Sequence, residues 1–346
     1  MLYDPMKKPI TAVSLFSGCG GFDWGAQQAG VRIIWANDID PHAEAAYRRI
    51  FPKVNFVPGD IAKIDKFPHA DVLIGCYPCT GFSEASRRRF RYKHIIRKRD
   101  LFANDGNFLY RQFLRALKQV NPKYLFVENV KGMLTAEGGW FLKQQLRGFR
   151  RHGYVVKAKL LNASNFGVPQ TRKRVFIVGI RKDISYNYDF PTETHGVKGK
   201  PPFVVLRDVI GKMKKWPKGE YRRKPFHGHF LTRNRKRGWH SPSYTIVAHA
   251  DHVPLHPMGE PMKPAGKDKY KLQGKFNRRL SWRECAAIQG LPKQSVPSGS
   301  LVDKYRVIGN AVPPAFGKVL LQPIIVHERA MSCGGDQNKS DRLKAA

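Results

Sequence analysis

The sequence TAVSLFSGCGG, residues 11–21, places a short apolar run directly before a glycine-rich turn. A helical pattern follows to Ala29, so the stretch predicts a buried strand, a tight turn and a helix. Glycines let the backbone approach a ligand, and the N–H groups of a helix N-terminus can face it. The stretch therefore indicates the cofactor end of an α/β sheet, although a plain strand–helix connection can carry the same glycines.

The rest of the first half alternates buried strands with amphipathic helices, as a largely parallel sheet does. Asp40 followed by Pro41 predicts a helix start, because Asp caps a helix well and Pro fits its first turn. Further strands are predicted at 31–36, 71–75, 124–127 and 175–180. The expected fold class is α/β and Rossmann-like, with a mixed, mostly parallel sheet.

The alternation of strands and helices stops after about residue 183 and returns near residue 281. The part between is rich in Pro, Gly, His, Lys and Arg, and residues 198–240 hold 14 basic residues against two acidic ones. We predict a catalytic domain over 1–185 and a smaller inserted domain over 186–300. A return to the first domain follows over 301–330, and then a frayed tail over 331–346.

The whole chain carries 62 Lys and Arg against 26 Asp and Glu, a formal net charge of +36. This surplus favours a polyanionic partner, nucleic acid above all, over a merely well-solvated surface. Five cysteines, an odd number, argue against a disulfide framework. No stretch approaches the roughly 18 apolar residues of a membrane span. The sequence predicts a soluble, cytoplasmic protein.

Two acidic residues follow the glycine turn at positions that suit an adenosine-type cofactor. Asp38 lies about 20 residues after Gly18, where a carboxylate can accept bonds from ribose hydroxyls. Asp60 ends a third segment and could accept a bond from an adenine amino group. Asp23 stands where the dinucleotide fingerprint has its third glycine, and a negative charge there suits a pyrophosphate poorly. The pattern favours S-adenosylmethionine over a nicotinamide dinucleotide.

A candidate nucleophile follows the strand predicted at 71–75. Cys79 comes after the stiff Pro78, in a loop at the carboxyl end of that strand. Cys76 and Cys79 have CxxC spacing, but no second pair could complete a zinc site, and a buried structural cysteine fits this segment equally well. A basic run at 87–99 follows and would bring a phosphate backbone to the nucleophile.

These segments resemble motifs of the cytosine-5 DNA methyltransferases and occur in that family's order. LFSGCGG at 15–21 resembles the cofactor motif, and Pro78-Cys79 resembles the nucleophile motif. The other similar segments are ENV at 128–130, QTRKR at 170–174, the helix around IQG at 288–290 and GNAVPP at 309–314. The resemblance runs through nearly the whole chain. It implies the fold of the S-adenosylmethionine-dependent methyltransferases, with the inserted domain recognising the target.

The resemblance implies methyl transfer from S-adenosylmethionine to carbon 5 of a cytosine flipped out of double-stranded DNA. Cys79 would attack carbon 6, and Glu128 would hold N3 and the exocyclic amine. Arg172 and Arg174, two residues apart on a strand, would share a face and stabilise the adduct. Thr80 departs from the Gln that usually follows the nucleophile in this family, so the contacts of that Gln stay unassigned.

The resemblance and the local patterns together give the expected binding residues. The cofactor is expected at Phe16, Ser17, Gly18, Gly20, Gly21, Asp38, Ile39, Asp60, Ile61, Pro78, Asn310 and Ala311. DNA is expected at Ser83, Arg87, Arg88, Arg89, Arg91, Arg233, Arg235, Lys236 and Arg237. No metal is expected, because the histidines of the inserted domain lack cysteines at ligand spacing. The expected protein is a monomer, with a cognate restriction endonuclease as a further partner.

Three alternatives stay open on the sequence. A tRNA cytosine-5 methyltransferase would use the same chemistry, but a substrate recognised by shape needs a smaller insert than this one. A nicotinamide-dependent oxidoreductase is disfavoured by Asp23. A catalytically inactive DNA-binding relative is disfavoured because Cys79, Glu128 and both arginines of QTRKR are present.

Overall fold

The computed structural model describes residues 9–78, 82 and 101–344, and for 333–344 it describes the backbone. The strands of its main sheet are β1 (Thr11–Leu15), β2 (Arg32–Asp38), β3 (Asn55–Pro58), β4 (Val72–Gly75), β5 (Tyr124–Val130), β6 (Tyr154–Asn162) and β7 (Lys173–Arg181). Their order is β3-β2-β1-β4-β5-β7-β6. Among these seven strands, β7 alone runs in the direction opposite to the others. The predicted mixed, mostly parallel sheet is therefore confirmed.

The helices pack on both faces of this sheet and extend into the inserted domain. They are α1 (Gly21–Ala29), α2 (Pro41–Ile50), α3 (Tyr110–Val120), α4 (Trp140–Arg151), α5 (Leu206–Ile210), α6 (Trp282–Gln289), α7 (Leu301–Asn310) and α8 (Pro314–Lys344). Asp40 caps α2 as predicted, because its carboxylate accepts a bond from the His42 backbone N–H at 3.0 Å. None of the described helices is long and apolar enough to cross a membrane.

Alternating side chains of the strands feed two hydrophobic clusters, one on each face. Val72 and Ile74 of β4 point to the face covered by α1 and α8, whereas Leu73 between them points to the face covered by α3 and α4. The apolar runs of the sequence, which predict the central strands, do not predict β6. This strand lies at the sheet edge, and most of its residues are exposed or half-buried, so it lacks the apolar run of the central strands.

The inserted domain contributes to a third hydrophobic cluster, formed in part by its residues Leu206, Ile246 and Trp282. The same cluster includes Cys19 of the glycine turn and Ala43 of α2, so apolar packing joins the inserted domain to the cofactor end of the sheet. Its regular strands are the short pair β8 (Lys263–Pro264) and β9 (Tyr270–Lys271). The domain boundaries stay predictions, since this cluster draws on residues from both sides of them.

The backbone of α8 continues beyond Pro323 to Lys344, where the sequence predicts a frayed tail from residue 331. A helix satisfies its N–H groups from carbonyls four residues earlier, so its backbone can continue without tertiary partners.

Candidate active site

The turn between β1 and α1 is closed by the carboxylate of Asp38, at the end of β2. The Gly18 N–H donates to Asp38 Oδ2 at 2.7 Å, and the Asp40 N–H donates to Asp38 Oδ1 at 2.9 Å. Burial raises the pKa of Asp38 despite these two bonds. Each carboxylate oxygen can accept one further hydrogen bond. The side chain predicted to hold ribose hydroxyls therefore has the capacity to do so.

The surroundings of Asp38 suit a nucleoside. Gly18 has a φ of 56°, and no atom lies within 4 Å of the position that a Cβ would take, so the turn is open there. The next side chain, Ile39, is 68 % exposed, which offers an apolar surface beside the carboxylate. Phe16 meets Tyr77 edge to face, with 5.9 Å between ring centroids. An open turn, a hydrogen-bond acceptor and an apolar side chain fit the predicted cofactor.

Other residues predicted to bind the cofactor have packing or backbone roles. A Cβ on Gly21 would lie 2.2 Å from the Val312 carbonyl oxygen, so this glycine permits close approach of the chain before α8. Gly20 packs in the same way against the rings of Tyr47 and Phe51. Ser17 Oγ donates to the Asn37 carbonyl, and the Asp60 carboxylate accepts from the Ala62 N–H. Of the other predicted residues, Ile61 and Ala311 are buried, whereas Pro78 and Asn310 are exposed.

Asp23 is enclosed by protein, which corrects one step of the sequence argument. Its carboxylate accepts hydrogen bonds from Ser14 Oγ and from the Tyr47 hydroxyl, both at 2.8 Å, and the residue is 1 % exposed. It therefore does not stand where a pyrophosphate would lie. Burial raises the pKa of Asp23 to about 6, although both hydrogen bonds favour its charged form.

The buried Asp23 predicts a pH dependence of stability. Its folded-state pKa, about 6, exceeds the ordinary 3.8, so the folded state binds the proton more tightly. The free energy of unfolding should therefore fall by about 2 kcal/mol from this group as the pH rises from 4 to 7. Asp23→Asn should lack that part of the decrease in urea unfolding. Equal pH slopes for the two proteins would contradict the assignment.

An acid and an arginine meet at the carboxyl end of β5. Glu128 lies on β5, and Arg174 lies on the antiparallel neighbour β7. Arg174 Nε is 2.8 Å from Glu128 Oε1, and the two side chains are 15 % and 10 % exposed. Burial raises the pKa of Glu128, and the charges of Arg174 and Arg172 cancel only part of that rise. Glu128 is thus a nearly enclosed carboxyl that can keep a proton above the ordinary glutamate range.

Arg172 lies just before β7, and the charges of Arg172 and Arg174 both act on Glu128, so their shared face stays a prediction. Arg172 is 2 % exposed and donates to the carbonyls of Ile246 at 2.8 Å, Gly309 at 3.1 Å and Ala311 at 3.0 Å. Its guanidinium joins QTRKR to GNAVPP and the inserted domain.

Two buried glutamines complete this junction. Gln170 Nε2 donates to Gln289 Oε1 at 2.9 Å. Gln289 Nε2 in turn donates to the Ile308 carbonyl at 2.8 Å and to the Ala311 carbonyl at 3.3 Å. Sequence reasoning missed Gln289, although it lies within the IQG segment that carries the family resemblance. Three separate motifs are therefore held together by side-chain bonds to backbone carbonyls.

Arg172→Met should lower the free energy of unfolding by about 3 kcal/mol or more, because three buried carbonyls lose a charged donor. Lys173→Met is the matched control, since Lys173 is the next residue and is exposed. Urea unfolding of both variants measures the difference. Equal losses in the two variants would contradict the role assigned to Arg172.

The described residues next to Cys79 are held firmly. The Tyr77 hydroxyl donates to Gln145 Oε1 at 2.6 Å, and Asn129 Nδ2 makes a long contact of 3.5 Å with the Tyr77 carbonyl. Asn129 was not predicted, although it belongs to ENV. Cys76 is a poor nucleophile, because burial and the charge of Glu128 hold its pKa well above the ordinary value. Outside the described residues lie Cys79, Ser83, Arg87, Arg88, Arg89 and Arg91.

Two predicted phosphate contacts of the inserted domain are buried, so these predictions are wrong. Arg235 and Lys236 are each 5 % exposed. Arg235 donates to the carbonyls of Phe230 and His252, and Lys236 Nζ donates to carbonyls of the loops around Met258 and Phe276. Loops without regular strands leave carbonyls unpaired, and these two cations satisfy them. Arg233 and Arg237 are half-buried, and their DNA contacts stay predictions.

The comparisons with known proteins agree with this geometry. The family model described as C-5 cytosine-specific DNA methylase matches residues 10–325. Type II methyltransferase M.BsuRI of Bacillus subtilis is 38 % identical, with 91 % of this chain and 79 % of that protein covered. Type II methyltransferase M.BspRI of Lysinibacillus sphaericus is 37 % identical, with 91 % and 81 % covered.

Two solved structures share the fold. The Entamoeba histolytica methyltransferase EhMeth gives a TM-score of 0.65 at 15 % identity, with 91 % of this chain and 98 % of that chain covered. The S. pombe Dnmt2 methyltransferase gives 0.62 at 17 % identity, with 92 % and 99 % covered. The expected methyltransferase fold is therefore confirmed.

Proposed function

Because the chain belongs to the C-5 cytosine-specific DNA methylase family, we propose how its residues carry out the methylation of DNA. The protein is an S-adenosylmethionine-dependent DNA (cytosine-5)-methyltransferase. In the proposed reaction the target cytosine leaves the stack of double-stranded DNA, and Cys79 forms a covalent bond to its carbon 6. The observation that carries this proposal is the enclosed Glu128–Arg174 pair, at the strand end beside the Tyr77–Pro78 backbone that leads to Cys79.

Carbon 5 of cytosine is too weak a nucleophile to accept a methyl group unaided. When the thiolate of Cys79 bonds to carbon 6, the electron pair of the 5,6 double bond moves toward carbon 5. S-adenosylmethionine, when bound, supplies a methyl group on a sulfonium that such a carbon can attack. The proton on carbon 5 is then lost to base, and the Cys79–carbon 6 bond breaks, which restores the ring and the thiolate.

Glu128 has the properties that the N3 edge of this cytosine requires. Its raised pKa lets it hold a proton, which it shares with N3 as negative charge builds up on the ring. Its carbonyl oxygen can accept a bond from the exocyclic amine, which thymine lacks. Arg174 keeps the carboxyl in place through the 2.8 Å contact and adds a fixed positive charge beside the ring. Arg172 supports this pair from the protein side, through its bonds to three carbonyls.

The cofactor site is proposed at the open turn beside Asp38. Asp38 would accept bonds from the ribose hydroxyls, and Ile39 would cover the adenine ring. Asp60 caps a short helical turn through the Ala62 N–H and would also accept a bond from the adenine amino group. We also propose that the protein acts as a monomer. A restriction endonuclease with the same target is proposed as its partner, because the relatives above are named type II methyltransferases.

The proposal is tested with methyl-labelled S-adenosylmethionine, duplex DNA and tRNA as parallel substrates. Label is expected in duplex DNA alone, and label in tRNA alone would overturn the proposal. Bisulfite sequencing of a host genome that expresses the protein then identifies the methylated cytosines and their sequence context. The Cys79→Ser variant, expressed in the same host, is the control for methylation by other enzymes.

A further inference from the structure

Three histidines of the inserted domain surround a fourth, His252, and together they form a histidine cluster. The ring centroid of His252 is 4.7 Å from that of His249, 5.3 Å from that of His229 and 5.5 Å from that of His227. Burial, together with the charge of Arg235, lowers the pKa of His252 to about 3, so the central ring is neutral. This histidine cluster shares no residue with the site built around Glu128.

The histidine cluster nevertheless lies close to that site along the chain. The Ile246 carbonyl accepts the 2.8 Å bond from Arg172, whose charge reaches Glu128. His249 follows Ile246 by three residues, and three residues of extended chain span at most about 10 Å. His249 therefore lies within about 10 Å, backbone to backbone, of the residue whose carbonyl Arg172 binds.

Backbone N–H groups determine the tautomer of two rings of the cluster. The Phe230 N–H donates to the His227 carbonyl at 2.9 Å and also to Nδ1 of His227 at 3.3 Å, and the Asp251 N–H donates to Nδ1 of His249 at 3.3 Å. A ring nitrogen that accepts a hydrogen bond carries no proton, so this network assigns the proton of each neutral ring to Nε2. Both residues are exposed.

This tautomer is the wrong one for a metal ion. A metal on Nε2 would require the ring proton on Nδ1, where it would face a backbone N–H instead of an acceptor. Within residues 9–78, 82 and 101–344, no group of three or more His, Cys, Asp or Glu side chains is arranged to hold a metal ion. What the cluster does present is the Nε2 donor of the exposed His227.

We propose that His227 donates its Nε2–H to a hydrogen-bond acceptor of the DNA next to the target cytosine. The inference rests on the proposed DNA substrate. Suitable acceptors are N7 and O6 of guanine in the major groove and the oxygens of the phosphate backbone.

A pair of substitutions separates the donor role from a structural role. His227→Gln places an amide N–H near the former Nε2 and loses the acceptor for the Phe230 N–H. His227→Asn keeps an acceptor near the former Nδ1 and loses the outer donor. The Kd of the full chain for a duplex that carries the methylated site is measured for both variants at several salt concentrations.

We expect His227→Asn to weaken binding about 3- to 10-fold, and His227→Gln to stay within about 2-fold of the parent. The opposite ranking, or no change in either variant, would overturn the proposal. So would binding by the parent that is lost with a chelator and restored by Zn²⁺.

A second duplex without the methylated site distinguishes the two acceptors. A loss confined to the methylated site identifies a base edge, and an equal loss on both duplexes identifies a phosphate. Methyl transfer by the parent protein is measured in parallel. Binding that depends on His227 without any methylation of DNA would contradict the proposed function and leave the His227 contact standing.

Discussion

Cys79→Ser is expected to abolish the covalent complex with 5-fluorocytosine DNA and to lower methyl transfer by about four orders of magnitude or more. A serine hydroxyl does not ionise near neutral pH, so it cannot add to carbon 6 as a thiolate does. With fluorine on carbon 5, no proton can leave after the methyl transfer. The parent enzyme therefore stays bonded to the DNA in a complex that survives denaturation.

Cys76→Ser is the matched control for this experiment. Cys76 precedes Cys79 by three residues, and burial together with the charge of Glu128 keeps its pKa well above the ordinary value. The thiol is therefore not the attacking group, and Cys76→Ser should still form the complex. The test is denaturing electrophoresis of the protein with the fluorinated duplex and S-adenosylmethionine. A complex that persists in Cys79→Ser and is lost in Cys76→Ser would reverse the assignment.

Glu128→Gln is expected to lower the rate constant of methyl transfer about 10²- to 10⁴-fold, because glutamine keeps the shape but has no proton to share with N3. The pH profile should change as well. Burial raises the pKa of Glu128, so the active acid form persists above the ordinary range and is lost as the pH rises through that pKa. The alkaline fall in activity should therefore be absent from the residual activity of Glu128→Gln.

Glu128→Gln is also expected to lower the stability of the protein, and the experiment must separate this loss from the effect on catalysis. At a pH where Glu128 is ionised, Glu128→Gln leaves the guanidinium of Arg174 buried without its counter-charge, at a cost of about 3–5 kcal/mol. Rates are therefore compared per folded protein, with urea unfolding as the measure of folding. Glu137→Gln, at an exposed glutamate nine residues on, is the control and should match the parent. An unchanged rate in Glu128→Gln would remove Glu128 from the mechanism.

Local features of the sequence were enough to predict most of the sheet. The apolar run and glycine turn at 11–21 became β1 and the start of α1, and Asp40 became the cap of α2. Strand periodicity, turn glycines and helix caps act between near neighbours, so they can be read without the fold. The motif order that indicates the family is also a property of the chain alone.

The partners of buried polar side chains were decided by the tertiary structure. Arg172 belongs to QTRKR, yet its three carbonyl partners lie 74, 137 and 139 residues away. Arg235 and Lys236 look like surface cations in a basic insert, but the fold buries them against loop carbonyls. A side chain must satisfy its hydrogen bonds with whatever groups the fold brings near, and no local pattern encodes those distant groups.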